Sequence, residues 1–226
     1  MKNFIQYILN PVAIENTEMF TFKIYFKTIG LCYLLFFLPS LILILFNIFR
    51  LLPDYQILKA DSLTILFLIA AIGPLFEEIL FRLNLKISKL NIAAFAAVLI
   101  VLIIKLLFFR TGKLYVYFGV PPLFLLIYYT INRFDFPLHK LETFVKSNFK
   151  YVFHLCAIIF GMLHLTNFES IYWWMIVLSP LLTAPSIAMG YLFGYIRMKY
   201  GFSNGWLIHS TVNFIYVLMI MPKHFV

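Results

Sequence analysis

Long apolar runs, separated by short segments that hold most of the charged residues, set the pattern of this chain. An α-helix crosses the hydrocarbon core of a bilayer with about 20 mainly apolar residues, and most of the runs approach or exceed that length. The runs lie at residues 29–49, 63–83, 92–109, 114–131, 151–165, 171–196 and 206–221. The pattern predicts an all-α protein, a polytopic membrane helical bundle of about seven to eight transmembrane helices.

Proline and glycine interrupt three of these runs. Gly73-Pro74 predicts a break, after which residues 75–90 would form a helix of their own and bring the number of segments to eight. Pro121-Pro122 predicts a kink within the fourth run. Pro180 and Pro185 predict that the sixth run tilts or bends as one long span.

Composition and charge agree with a membrane protein. The chain is 63% hydrophobic and 12% charged, whereas a soluble domain is nearer half apolar and a quarter charged. Its net charge of +9 comes largely from Lys and Arg between the runs, including the predicted connections at 132–150 and 197–205. There they orient spans and contact anionic lipid, so membrane lipids are expected partners and nucleic acid is not.

The distribution of basic residues predicts an orientation. With the N-terminus in the cytoplasm, 12 Lys and Arg lie in cytoplasmic segments and 5 in the opposite ones, as the positive-inside rule favours. We therefore expect an integral protein of a prokaryotic inner (plasma) membrane, with residues 1–226 forming a single membrane domain.

Two adjacent carboxylates, Glu77 and Glu78, and an arginine, Arg82, interrupt the second run. An ionised group within a bilayer costs a few kcal/mol by insertion scales, so such a cluster indicates a functional site. Two structural alternatives stay open. Glu78 and Arg82 are four residues apart and can form a salt bridge on a helix, or the span ends at Phe76 and leaves the acids among the headgroups.

Two later runs carry further polar positions. Phe160 and His164 are four residues apart, as are His209 and Asn213, so each pair points from one face of its helix. His154 lies about 80° around the helix from His164 and is expected to be a core histidine. A glutamate and a histidine can deprotonate a water for attack on a carbonyl, and a histidine with an asparagine amide can stabilise the oxyanion that forms.

The same groups could also bind Zn²⁺, which would lower the pKa of that water and so make it a better nucleophile. The sequence holds neither HExxH nor a serine flanked as in G-x-S-x-G, so a zincin helix and a nucleophile-elbow serine are not expected. No cofactor is assigned, and a divalent metal such as Zn²⁺ stays an open alternative.

In this order, Glu77-Glu78-x-x-x-Arg82, Phe160-x-x-x-His164 and His209-x-x-x-Asn213 resemble the CPBP family, the CAAX-protease and bacteriocin-processing (Abi) family of intramembrane endopeptidases. The resemblance covers residues 73–213, and the stretch 190–201 resembles the family's approach to its last motif. It implies an all-helical bundle whose polar residues face a cavity within the membrane.

Carried over residue by residue, the resemblance implies that Glu77 activates a water with help from His164, and that His209 and Asn213 donate to the oxyanion. Glu78 completes the catalytic set and supports the motif geometry. Arg82 and Phe160 are expected to have supporting roles as well.

The spacing departs from the family pattern. Arg82 and Phe160 are 78 residues apart, where the family commonly has a short connection. The runs at 92–109 and 114–131 are therefore extra spans that could cover or reshape the cavity.

The sequence thus predicts an intramembrane protease, and whether it is a metalloprotease stays open. It would hydrolyse a peptide bond in a membrane-associated or lipidated (CAAX-like) protein or peptide. A non-catalytic membrane scaffold or immunity factor, and an ion- or proton-coupled transporter, are the alternatives. The enzyme hypothesis requires Glu77, His164 and His209 to converge on one cavity.

Overall fold

A computed structural model describes residues 2–14, 18–54, 68–108, 118–134 and 137–220. These ranges contain helices and no strands, which confirms the all-α class. The α-helices are α1 (Lys2–Leu9), α2 (Phe22–Ile48), α3 (Gly73–Arg82), α4 (Lys89–Phe108), α5 (Val120–Arg133), α6 (Leu138–Ser147), α7 (Phe149–Leu163), α8 (Trp173–Val177), α9 (Ser179–Leu182), α10 (Ala184–Tyr200) and α11 (Phe202–Ile220).

The predicted break at Gly73-Pro74 is a change of helical winding. A π-helical turn, Leu68–Ile72, precedes α3, and Pro74 lies in the first turn of α3. Proline suits that position because its missing N–H would have no intrahelical acceptor there. The helix predicted over 75–90 is shorter: α3 ends at Arg82 and a 3₁₀ turn, Leu83–Leu85, follows it.

Two expectations about proline are wrong, because these prolines begin helices and do not bend longer ones. Pro121 and Pro122 do not kink a longer helix in the described residues, since α5 begins at Val120 and takes them into its first turn. The sixth run is not one bent span. It divides into α8, α9 and α10, with Pro180 and Pro185 each in the first turn of a new helix.

Both predicted connections are more helical than expected. α6 occupies most of 132–150, and α10 and α11 extend through 197–205 until Gly201 alone separates them. Gly201 has φ 95°, a left-handed conformation that glycine adopts without a Cβ penalty, so the chain reverses within one residue.

Helix α10 is the centre of the bundle. It packs against α1, α2, α7 and α11, while α3 packs against α7 and α11. Its buried side chains include Leu192, Phe193 and Ile196, which form a core with Phe160 of α7 and Ile208 of α11. The predicted extra hairpin is present as α4 and α5, which pack on each other, with α4 against α3.

Among the described residues, two helical segments are long and apolar enough to cross a membrane: Phe22–Ile48 and Phe149–Asn167. Few residues of the first are buried, and its exposed side chains include Leu38, Leu45 and Ile48. The number of spans stays a prediction. Parts of four predicted runs (63–67, 109, 114–117 and 221) and of the connections between runs (55–62, 110–113 and 135–136) lie outside the described residues.

The two ends of the bundle differ in charge. At one end the segment at residues 10–14, the turn after α3 and helix α6 meet the end of α10, and Ile14, Leu85, Lys86, Glu142, Lys146 and Met198 line one pocket there. We call this the basic end. At the opposite end, where α2 and α7 finish, the Glu169 N–H donates to the Asp54 carbonyl at 2.9 Å.

Candidate active site

Three helices bring the sequence-predicted site residues to one region. Helix α3 supplies Glu77, Glu78 and Arg82, α11 supplies His209 and Asn213, and α7 supplies Phe160 and ends at His164. Since α3 packs on both α7 and α11, motifs far apart in the sequence become neighbours.

Glu78 is the buried centre of the cluster. Its side chain is 0% exposed, and Oε1 accepts a hydrogen bond from His209 Nδ1 at 3.0 Å. The Arg82 Nε lies 3.6 Å from the same oxygen, with its side chain 1% exposed, so the predicted salt bridge is present. Arg82 and the hydrogen-bonding ring of His209 both approach Oε1 of this buried carboxylate, whereas Glu78 Oε2 and Arg82 Nη1 are buried without a hydrogen bond among the described residues.

Glu77 occupies a different environment from its neighbour. Its side chain is 38% exposed, and its Oε2 lies 3.5 Å from His209 Nε2. That oxygen is itself buried and has no hydrogen bond within the described part of the chain. His209 therefore lies between the two glutamates, with Nδ1 toward Glu78 and Nε2 toward Glu77.

Aromatic rings enclose the charged groups. Phe193 stacks on the His209 ring with centroids 4.2 Å apart and planes at 22°. The Arg82 guanidinium carbon lies 3.9 Å from the Phe160 ring centroid, a cation–π distance, and 5.7 Å from that of Phe193. The rings hold the imidazole and the guanidinium in place and exclude water from their apolar side.

His164 joins the cluster through Phe160. The two rings are 4.9 Å apart, the Phe160 ring is 5.8 Å from that of His209, and His164 Nδ1 hydrogen-bonds to the Phe160 carbonyl at 2.9 Å. Glu77 and His209 are thus direct neighbours, whereas His164 reaches them only through Phe160, and their convergence on one cavity stays a prediction. The predicted pairing of Glu77 with His164 is not among the contacts of the described residues, where Glu77 meets His209.

Asn213 follows His209 by one helical turn and is half-buried. Its amide makes no hydrogen bond to another described residue, so its predicted donor role is untested by contacts. His154 is hydrogen-bonded to the Tyr191 hydroxyl at 3.1 Å, as expected for a core histidine.

Sequence reasoning missed three supporting residues. Phe193 gave no signal, because it is an apolar residue among apolar residues. Arg197 donates from Nε to the Arg82 carbonyl at 3.3 Å and so caps the end of α3. The Trp206 indole N–H donates to the Ala71 carbonyl at 3.0 Å, which fixes the π-helical turn just before the Glu77-Glu78 pair.

The arrangement of donors does not fit a zinc site. Within the described ranges no group of three or more His, Cys, Asp or Glu side chains is placed to hold a metal ion. Both nitrogens of His209 face carboxylates, and His164 is separated from them by the Phe160 ring. The open alternative of a metal cofactor therefore has no ligand set among these residues.

Comparisons with protein-family models, with curated proteins and with solved structures found no match. The residues of the site and the motif resemblance described above are therefore what indicate a function.

Proposed function

We propose that this chain is a polytopic integral membrane protein with its basic end in the cytoplasm. The exposed apolar surface of α2 supports burial in lipid, since soluble proteins rarely expose so large an apolar patch. The lysines that line a pocket at the basic end, Lys86 and Lys146, support the orientation.

We further propose that it is an intramembrane endopeptidase that hydrolyses a peptide bond by a water that glutamate and histidine activate. One observation carries this proposal: His209 lies between a buried carboxylate, Glu78, and a partly open one, Glu77. The substrate class, a membrane-associated or lipidated protein or peptide, is the one that the motif resemblance implies.

The geometry divides the work between the two glutamates. Glu78 accepts from Nδ1–H of His209 and so fixes the tautomer and the ring orientation. Nε2 is thereby directed at Glu77, and it can donate from this position only if the ring carries a proton on both nitrogens. Neither group has to be rearranged when substrate arrives, which is the requirement for electrostatic preorganisation.

Each proton of the reaction has a defined destination. Glu77 takes a proton from the attacking water while the water oxygen bonds to the scissile carbonyl carbon. The negative charge that develops on the carbonyl oxygen is stabilised by His209 Nε2–H and by the Asn213 amide. When the C–N bond breaks, the leaving nitrogen receives the proton held by Glu77. His164, which the Phe160 ring separates from Glu77 and His209, does not act as the primary base.

Cleavage by purified protein tests the proposal. The full chain, reconstituted in liposomes, would be incubated with a library of membrane peptides that includes prenylated CAAX-like tails, and products read by mass spectrometry. In water labelled with heavy oxygen, each new carboxyl group should carry one label. Glu77→Gln should lower the rate about 100- to 10,000-fold.

Matched controls separate chemistry from general damage. Glu169→Gln removes an exposed glutamate at the opposite end, and His139→Gln removes an exposed histidine on α6, so both should retain wild-type rates. Cleavage that survives in Glu77→Gln would refute the proposed base. Absence of cleavage across the library, in correctly folded protein, would favour the scaffold or transporter alternatives. Repeating the cleavage assay with a strong chelator tests whether hydrolysis depends on a metal.

A further inference from the structure

A small space among α3, α10 and α11 adjoins the second oxygen of the Glu78 carboxylate. A Cβ added to Gly205 of α11 would occupy this space, 3.5 Å from Glu78 Oε2 and 3.7 Å from the backbone nitrogen of Arg197. These are ordinary van der Waals distances, so the space accepts a group about the size of a methyl. A water molecule has a similar size.

Two atoms of the ion pair between Glu78 and Arg82 are without a hydrogen bond. Glu78 Oε2 and Arg82 Nη1 are both buried, and neither has a hydrogen-bond partner in the described part of the chain. The two side chains are 0% and 1% exposed, and Arg82 Nε lies 3.6 Å from Glu78 Oε1. Buried polar atoms are nearly always hydrogen-bonded to protein or to ordered water. One acceptor and one donor in the same ion pair therefore indicate a bound molecule.

The register of α11 directs the space at the carboxylate that His209 binds. Gly205 and His209 are four residues apart, so both lie on one face of α11. His209 Nδ1 binds Glu78 Oε1 at 3.0 Å, and Gly205 leaves room beside Oε2. Close helix packing does not require this glycine, in contrast to Gly161, where an added Cβ would come within 2.7 Å of backbone. What the glycine provides at residue 205 is space beside a buried charge.

The charges around the space select a neutral ligand. The Glu78 carboxylate repels an anion and the Arg82 guanidinium repels a cation, whereas water can donate and accept hydrogen bonds. We propose that this space binds one water molecule, which donates to Glu78 Oε2 and accepts from Arg82 Nη1. It completes the hydrogen bonds of Glu78 and so keeps Oε1 aimed at His209. It is distinct from the attacking water, which would lie beside Glu77.

Alanine and serine at residue 205 test the site, because they should reverse their usual order of stability. A methyl group displaces the water and leaves Glu78 Oε2 without a donor, whereas serine fills the same space and supplies a hydroxyl. In SDS titrations of the full chain, Gly205→Ala should lower the ratio of folded to unfolded protein about 3- to 30-fold. The lost hydrogen bond to a charged group outweighs the gain in helix propensity. Gly205→Ser should exceed Gly205→Ala by about threefold or more.

Gly30 of α2 is the matched control position. An added Cβ there would meet no heavy atom within 4 Å, so Gly30→Ala should raise the same ratio about fivefold, and Gly30→Ser should rank below it. Alanine above serine at both positions would overturn the proposal. Equal losses from alanine and serine at residue 205 would also overturn it, because any added Cβ would then be displacing the helices.

Infrared spectroscopy detects the water itself. Difference spectra between ordinary water and water labelled with heavy oxygen should contain an isotope-sensitive O–H band of low frequency, since the bound water donates to a carboxylate. The band should be present in the wild type and in Gly30→Ala and absent from Gly205→Ala. Its absence from the wild type, or its persistence in Gly205→Ala, would overturn the site.

These measurements are independent of peptide hydrolysis and need no substrate. The proposal rests on the packing of α3 against α11, which the proposed function shares, and not on the reaction. A protein that cleaves no peptide can still show the reversed order at residue 205. A protein that cleaves peptides can lack it, so failure of the water site and failure of the peptidase proposal are distinguishable.

Discussion

Gly161 allows α7 and α10 to approach so closely that a single methyl group should separate them. A Cβ at this position would lie 2.6 Å from the backbone nitrogen and 2.7 Å from the Cα of Ile187, and would also overlap the Ile187 side chain. Ordinary contacts between carbon atoms are about 3.5–4.0 Å. The obstacle is backbone, which cannot rotate aside, so Gly161→Ala must move one helix by about 1 Å.

The free energy of that movement can be bounded. Overpacking of a tight interface typically costs about 1–3 kcal/mol, since contacts around the inserted group are stretched. Alanine is favoured over glycine in a helix by about 1 kcal/mol, which offsets part of the cost. At Gly30 in α2, an added Cβ would meet no heavy atom within 4 Å, so Gly30→Ala should show the gain without the cost.

Unfolding by SDS in mixed micelles, followed by tryptophan fluorescence, compares the two variants. Gly161→Ala should be less stable than Gly30→Ala by about 1–3 kcal/mol, because the gain in helix propensity is common to both variants. It should also lose most of any peptidase activity, because α7 carries the Phe160 ring that contacts the Arg82 guanidinium. Equal stability of the two variants would contradict this close approach, because α7 and α10 would then have room for a methyl group at residue 161.

Two further changes test a buried charge and a buried hydrogen bond. Arg82→Met leaves Glu78 buried without its salt bridge and should cost about 3–5 kcal/mol in the same titration; a loss no larger than that of exposed Arg133→Met would mean that Glu78 is buried in its neutral form. Trp206→Phe removes the donor to the π-helical turn and should cost about 1 kcal/mol and speed amide exchange in residues 68–73. Exchange as slow as in exposed Trp173→Phe would contradict that role.

Local periodicity predicted the contacts that one helix makes with itself. The salt bridge of Glu78 with Arg82 and the ring contact of Phe160 with His164 both follow from a spacing of four residues. The pairing of His209 with both glutamates did not follow, because it depends on how α3 and α11 pack. The resemblance assigned His164 to Glu77, and the packing gives Glu77 to His209.

Proline shows a second limit of local reasoning. Pro74, Pro121, Pro180 and Pro185 all lie in apolar runs, and a proline there can kink one helix or begin another. In this fold each lies in the first turn of a helix. Whether a proline kinks one helix or begins another depends on how the residues before it pack in the bundle. The sequence of the run alone does not contain that information.

The two adjacent glutamates can take complementary positions in one site, because consecutive residues on a helix point about 100° apart. One of them can therefore face the protein interior while the other faces the open side. Glu78 does the first, buried with Arg82 and His209, and Glu77 does the second, 38% exposed. A carboxylate that positions the imidazole must stay ionised and fixed, whereas a carboxylate that exchanges protons with water must be reachable. A single glutamate cannot meet both requirements, and a pair separated by a full turn would place both on one face.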